Sequence, residues 1–253
     1  MSVFEKGIVS FSVDDGYADA YRLYRLLKQY GMAGTFNIVT SWIGTPGYLS
    51  AEQLAEIRQD EDMEIACHGY SHKNTDADIL LGIQQLDGWF GTHGEAIGFA
   101  SPGSGMKKPH VLENEAHLRK DLGLLYVRSA YDPEPNARHL ELMEKLTAAD
   151  APAYVIKNIP QLIYEISGMY LPSVVVYNDT ECEHLKTIAD LAAREKACAI
   201  FMLHRVKPRE EEDPSDRWCY DYDKLEELLR HVRHGIDRGE LRSLTSREIF
   251  ESA

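Results

Sequence analysis

Cysteine is scarce in this chain, with four in 253 residues. Cys67, Cys182, Cys198 and Cys219 are dispersed and form no Cys-x-x-Cys pair, which excludes a disulfide framework and a thiolate zinc site and predicts reduced, structural thiols. Positive charge is also in deficit. Lys and Arg number 27 against 41 Asp and Glu, a net charge of −14, and so acidic a surface repels phosphate backbones and anionic headgroups. Neither nucleic acid nor membrane is therefore expected as a partner. No apolar run approaches the roughly 20 residues of a bilayer span, and Met1 to Gly7 has neither the basic nor the apolar region of a signal peptide. The expected location is cytoplasmic. Gly and Pro, 18 and 10, are near ordinary usage, and there is no repeat or low-complexity tract. What is present is apolar material at 44% of residues, enough for a sizeable core in a single domain over 1–253.

Short runs rich in β-branched and aromatic residues alternate with helix-period segments. The runs are Ile8 to Val13, Thr35 to Thr40, Met63 to Cys67, Ile97 to Ala100, Leu124 to Val127, Val174 to Tyr177 and Ala199 to Leu203. The helical stripes are Ala20, Leu23, Tyr24, Leu27; Ile79, Ile83, Leu86, Phe90; Leu185, Ile188, Ala189, Ala192; and Leu225, Leu228, Leu229, Val232. This β-α-β-α rhythm predicts a parallel sheet, either a (β/α) barrel or an open doubly wound sheet. Ser50 with Gln53, Thr180 with Glu183 and Thr245 with Glu248 read as capping boxes at helix starts. The rhythm breaks over Tyr131 to Pro172, where prolines gather, and over the polar stretch His204 to Asp221, read as a long loop.

In both architectures the chemistry sits where parallel strands end. The first strand ends in Asp14-Asp15-Gly16, which is either a plain turn or a pair of carboxylates, one free to hold a cation and one free to act as a base. The third runs into His68-Gly69-Tyr70-Ser71-His72. Its two imidazoles can converge on one cation if the segment coils tightly, and with Asp15 they would leave an open coordination position. The late strand ends in Leu203-His204. The fourth leads into Ser101-Pro102-Gly103, a sharp turn able to present a backbone N–H.

These residues, in this order, resemble the polysaccharide deacetylases of the NodB-homology group, carbohydrate esterase family four. The family's Thr-Phe-Asp-Asp-Gly reads Ser12-Val13-Asp14-Asp15-Gly16, its His-x-x-x-His reads His68 to His72, and its Leu-x-His matches Met202-Leu203-His204. The resemblance implies a distorted (β/α) barrel of about seven parallel strands. It implies Asp14 as general base, His204 as general acid, and Asp15, His68 and His72 as ligands of a divalent metal ion, zinc first, with cobalt or nickel as alternatives. The reaction implied is hydrolysis of an N-acetyl group from an amino sugar or oligosaccharide, so the expected partner is a small carbohydrate substrate. Alternatives are a cyclic or small linear amide, as in allantoinase-like hydrolases, or a catalytically weak sugar-binding protein. Two motifs depart. The family's Arg-x-Pro reads Ala100-Ser101-Pro102, and Arg128 is the replacement suggested by position, against a surface arginine. The motif with an aspartate and tryptophan supporting the histidine has no clear counterpart, with Asp132 and Asp179 as candidates. Gly103 and Pro102 are assigned to the oxyanion and substrate region, and Trp42 and Trp218 to sugar stacking.

Overall fold

The computed structural model describes residues 4–91, 94–130, 168–211 and 215–253. Seven parallel strands pair in chain order: β1 (Gly7–Val13), β2 (Gly34–Ile38), β3 (Met63–Cys67), β4 (Ile97–Ala100), β5 (Leu124–Ala130), β6 (Tyr170–Val175) and β7 (Cys198–Leu203). β7 returns to β1, in register from Ile8↔Cys198 to Val13↔Leu203. The sheet is therefore closed, and of the two architectures open to the alternating pattern the chain adopts the barrel.

Around it lie α1 (Asp19–Tyr30), α2 (Ala51–Gln59), α3 (Asp76–Phe90), α4 (Lys108–Glu113), α5 (Glu115–Lys120), α6 (Cys182–Glu195), α7 (Tyr222–Asp237) and α8 (Ser246–Ser252). After β7 come β8 (Arg205–Lys207) and β9 (Cys219–Asp221), which pair with each other, and β10 (Leu241–Ser243). β10 pairs with the N-terminal half of β1, whereas β2 pairs with its C-terminal half. That wedge at the floor distorts the barrel. A three-residue strand leaves too short a pattern to read from sequence.

Strand alternation sorts the side chains into two compartments. Val9, Phe11, Val13, Phe36, Ile38, Met63, Ile65, Cys67, Phe201 and Leu203 point outward and join the helical stripes in the main core. Each fully buried Phe or Leu there contributes roughly 1.5–3 kcal/mol. The intervening residues fill the barrel: Ile8, Tyr126, Leu171, Cys198 and Ile200 pack near the floor, and Ala130, Val175 and Met202 near the mouth. Between and above them the interior is polar, with Ser10, Ser12, Thr35, Asn37, Glu64, Arg128 and Ser173 all buried.

Several sequence expectations are corrected. Ser50 and Thr245 form complete capping boxes, but Thr180 does not cap α6: Glu181 stands at the N-cap, and the Thr180 hydroxyl instead accepts from Tyr177 N at 2.9 Å. The sixth strand begins at Tyr170, four residues before Val174. Pro172 does not break it, and the Ser173 hydroxyl donates to Ser129 O at 3.0 Å across the same seam. The second strand stops at Ile38, and Thr40 starts a 3-10 turn. The fifth extends to Ala130, which places Arg128 inside a strand. The stretch from His204 to Asp221 is not a structureless loop, since β8 and β9 clip its ends together. Most of the proline-rich stretch, with Asp132, lies outside the described residues.

Candidate active site at the barrel mouth

The mouth at the strands' C-terminal ends opens on a cavity of about 560 Å3, lined among others by Asp14, Asp15, His68, His72, His204, Trp42 and Trp218. Asp14 follows β1, and its N–H donates to Leu203 O at 2.8 Å, which keeps the chain in register as β1 ends. At Asp15 the backbone turns to φ 75°, a left-handed conformation uncommon for a residue with a Cβ, and Gly16 continues it at φ 81°. This reversal lets two adjacent carboxylates face one cavity instead of opposite sides of the sheet.

The imidazoles converge through a similar reversal. His68 leaves β3 with its N–H on Ile38 O. Gly69 has φ 82° and His72 φ 62°. A Cβ on Gly69 would come within 2.5 Å of Asp78 Oδ2, and one on Gly82 within 3.0 Å of three atoms of this segment. Glycine at both positions therefore allows α3 to press against the turn. Asp78 on α3 then holds it, accepting from Ser71 N, Ser71 Oγ and Lys73 N. Burial would raise the Asp78 pKa, but these donors hold its carboxyl below the usual range. Asp78 is a residue that sequence reasoning misses; its signal is an acid six residues after His72, in the first turn of the next helix.

His68 Nε2 and His72 Nε2 each lie 3.5 Å from Asp15 Oδ1, and ligand atoms of the three lie within 4.8 Å of one another. Two donors each about 2.1 Å from a tetrahedral ion are about 3.4 Å apart. Asp15 Oδ1 and His68 Nε2 are buried without a hydrogen-bond partner among the described residues. His68 Nδ1 lies 2.7 Å from Ala100 O, which fixes the proton on Nδ1 and leaves the Nε2 lone pair facing Asp15. One oxygen and two imidazole nitrogens, two of them buried and orphaned, fit a divalent ion with a position to spare.

Asp14 is held from behind. Arg128, fully buried on β5, pairs through Nη2 with Asp14 Oδ1, and Asn37 Nδ2 donates to the same oxygen at 2.8 Å. Asp14 Oδ2 lies 3.9 Å from His68 Nε2 and 4.0 Å from His204 Nε2. Burial alone would raise the Asp14 pKa; the Arg128 guanidinium, followed by His68 and His204, overrides it and holds the carboxyl below the usual range. Burial pulls the His204 and His72 pKa values down; it acts the same way on His68, but Asp14 and Asp15 together override it and raise the His68 pKa.

The remaining candidates take distinct places. Gly103 sits in the turn after β4 at φ 56°, with nothing within 4 Å of where a Cβ would be. Pro102 opens that turn and is buried, and its carbonyl accepts from Asn74 Nδ2 at 2.8 Å. Trp42 packs between Tyr48 and His72, with ring centroids at 5.0 and 5.5 Å. Trp218 lies against His204 at 4.2 Å and Tyr177 at 4.9 Å while remaining 41% exposed. Asp179 is exposed, and among the described residues no carboxylate accepts from His204 Nδ1.

A parallel barrel with its polar cluster at the C-terminal mouth belongs to a large class of α/β enzymes and binding proteins. The narrower relationship is carried by sequence: residues 2–89 match the polysaccharide deacetylase family. That span contains Asp14, Asp15, His68 and His72, and over it the chain is similar to the polysaccharide deacetylases. No curated protein sequence matches the chain. Among solved structures, a polysaccharide deacetylase from Bacillus cereus is similar at 16% identity and TM-score 0.39, over 51% of this chain and 43% of its own. This chain thus spans less than half of that protein's length. A family 4 acetyl xylan esterase from Clostridium thermocellum, solved with a cobalt ion, is similar at 18% identity and TM-score 0.47, over 96% of this chain and 90% of its own. The Xyl-CE4 domain of a multidomain xylanase from the hindgut metagenome of Trinervitermes trinervoides is similar at 14% and 0.47, over 98% and 91%.

Proposed function

We propose that the chain hydrolyses the N-acetyl group of an amino sugar or oligosaccharide and releases acetate, with a divalent ion held by Asp15, His68 and His72. The observation that supports this most is the meeting of two sets of groups at one mouth. An Asp-His-His trio, two of its ligand atoms buried without a partner among the described residues, stands beside Asp14, which has one oxygen tied down and the other turned toward His204. The ion, zinc before cobalt or nickel, supplies Lewis acidity to water and to the acetyl carbonyl. Asp14 stays ionised beside Arg128 and takes a proton at Oδ2. His204, across the cavity, gives a proton to the departing nitrogen; burial disfavours its protonated form, and the charge of Asp14, 4.0 Å away, favours it. The Gly103 N–H, on an open turn, stabilises developing charge on the carbonyl oxygen. Trp42 and Trp218 offer flat apolar faces for a sugar ring, and the cavity volume lies within the range of small-molecule sites.

In this reading residues 1–253 work as one catalytic domain in the cytoplasm, a compartment that suits four buried cysteines joined by no disulfide among the described residues. The test is acetate release from a panel of N-acetyl sugars and their oligomers, with zinc, cobalt or nickel added to stripped protein. Release that depends on the metal supports the proposal. Binding of the sugars without release under every metal would replace it with a sugar-binding role.

A further inference from the structure

Asn37 occupies a place in the barrel where an apolar side chain would be the simpler choice. It is fully buried on β2 between Phe36 and Ile38, and Thr35 is the previous inward position. The register Ser12↔Thr35 and Val13↔Phe36 sets Asn37 beside Asp14, one step past the end of β1. Its amide nitrogen donates to Ser12 Oγ at 2.8 Å and to Asp14 Oδ1 at 2.8 Å, with Val13 O at 3.4 Å. The two carboxylate and hydroxyl acceptors fix which way the amide faces, since the flipped rotamer would set oxygen against oxygen at Asp14. Asn37 Oδ1 is left buried with no partner among the described residues. Such an atom is costly to keep, and a leucine of similar volume would avoid the cost.

What the amide provides is a second point of attachment for Asp14. Arg128 reaches Oδ1 through a single nitrogen, and a carboxylate held at one point can pivot about it. Asn37 grips the same oxygen from another strand without adding charge. With both donors on Oδ1, Oδ2 is the oxygen presented to the cavity, 4.0 Å from His204 Nε2. Asn37 itself does not line the cavity. We infer that Asn37 is a positioning residue for the base, acting with Arg128 to aim Asp14 Oδ2 at the reacting water; the inference rests on the hydrolytic function proposed for this mouth.

The test compares Asn37→Leu with wild type in the zinc-loaded full chain, using 4-nitrophenyl acetate as the probe. The expected result is a kcat lower by about tenfold to a hundredfold, as for other small misplacements of a catalytic group. KM should stay within about twofold, and zinc content and melting temperature should not fall. In an Asp14→Asn background the same leucine should change kcat by less than about twofold, because the base it aims is gone. An equal loss in both backgrounds, or an unchanged kcat, overturns the inference. A crystal structure of Asn37→Leu tests the same point without turnover: the Asp14 carboxylate should rotate, and an unchanged carboxylate overturns the positioning role. If wild type releases no acetate from the ester or from the N-acetyl sugars while the carboxylate rotates in the variant, the hydrolytic function fails and the positioning stands.

Discussion

Asp14 at the mouth and Glu64 at the floor are buried in the same barrel interior, and the protein treats them in opposite ways. β5 supplies a partner to each, from positions two residues apart: Arg128 pairs with Asp14 and the Tyr126 hydroxyl donates to Glu64 Oε1 at 2.9 Å. The cation holds Asp14 below the usual carboxylate range. Glu64 has mainly neutral donors, Tyr126, Thr35 and the Arg247 N–H, with the Arg247 guanidinium at 4.0 Å. Burial dominates and raises its pKa. The floor carboxylate is a fastening: Thr35 Oγ1 also accepts from Ser246 N, so the network ties the start of α8 to β2 and β3. The comparison shows that burial by itself does not make a base. The ion partner decides which way the buried carboxyl's pKa moves.

Exchanging each acid for its amide should separate the two roles most sharply. Asp14→Asn should lower turnover by about 10²–10⁴-fold with metal retained, since an amide cannot accept a proton. Glu64→Gln should leave turnover within about threefold, because nothing at the floor touches the reacting groups. Steady-state rates and elemental analysis on both variants decide it, and similar losses from the two would erase the distinction.

A smaller effect is expected in the pH dependence of stability. A carboxyl whose pKa is raised on folding stabilises the protein fully when protonated, below its unfolded pKa. That contribution is lost as pH rises through the folded pKa. Wild type should therefore lose stability relative to Glu64→Gln as pH rises through and above the usual carboxylate range, read from denaturant midpoints. A wild type that holds level with Glu64→Gln, or gains on it, as pH rises would show that folding does not raise the Glu64 pKa.

The mouth is more legible in the sequence than the floor. Asp14-Asp15-Gly16 and His68 to His72 carry their chemistry in local spacing, and the alternation of strands and helices announces a parallel sheet. Closure of that sheet is a pairing between β1 and β7, nearly two hundred residues apart, and no local pattern encodes it. Arg128 can be suggested only by position, since its burial follows from β5 running on to Ala130. Asn37 and Glu64 escape a reading of the sequence because a lone polar residue in an apolar run looks like an interruption until strand pairing supplies its neighbour. Trp218 reads from sequence as a sugar platform. Its contact with His204 arises because β8 and β9 fold the polar stretch back over the strand end, a three-residue pairing too short to recognise.

The central claim is that Asp15, His68 and His72 share one divalent ion beside Asp14. Zinc content measured by elemental analysis, on stripped and reloaded wild type and His72→Ala in parallel, tests it directly. Wild type should hold stoichiometric zinc while His72→Ala, with an unchanged circular dichroism spectrum, holds little or none. Full zinc occupancy in His72→Ala would contradict the account.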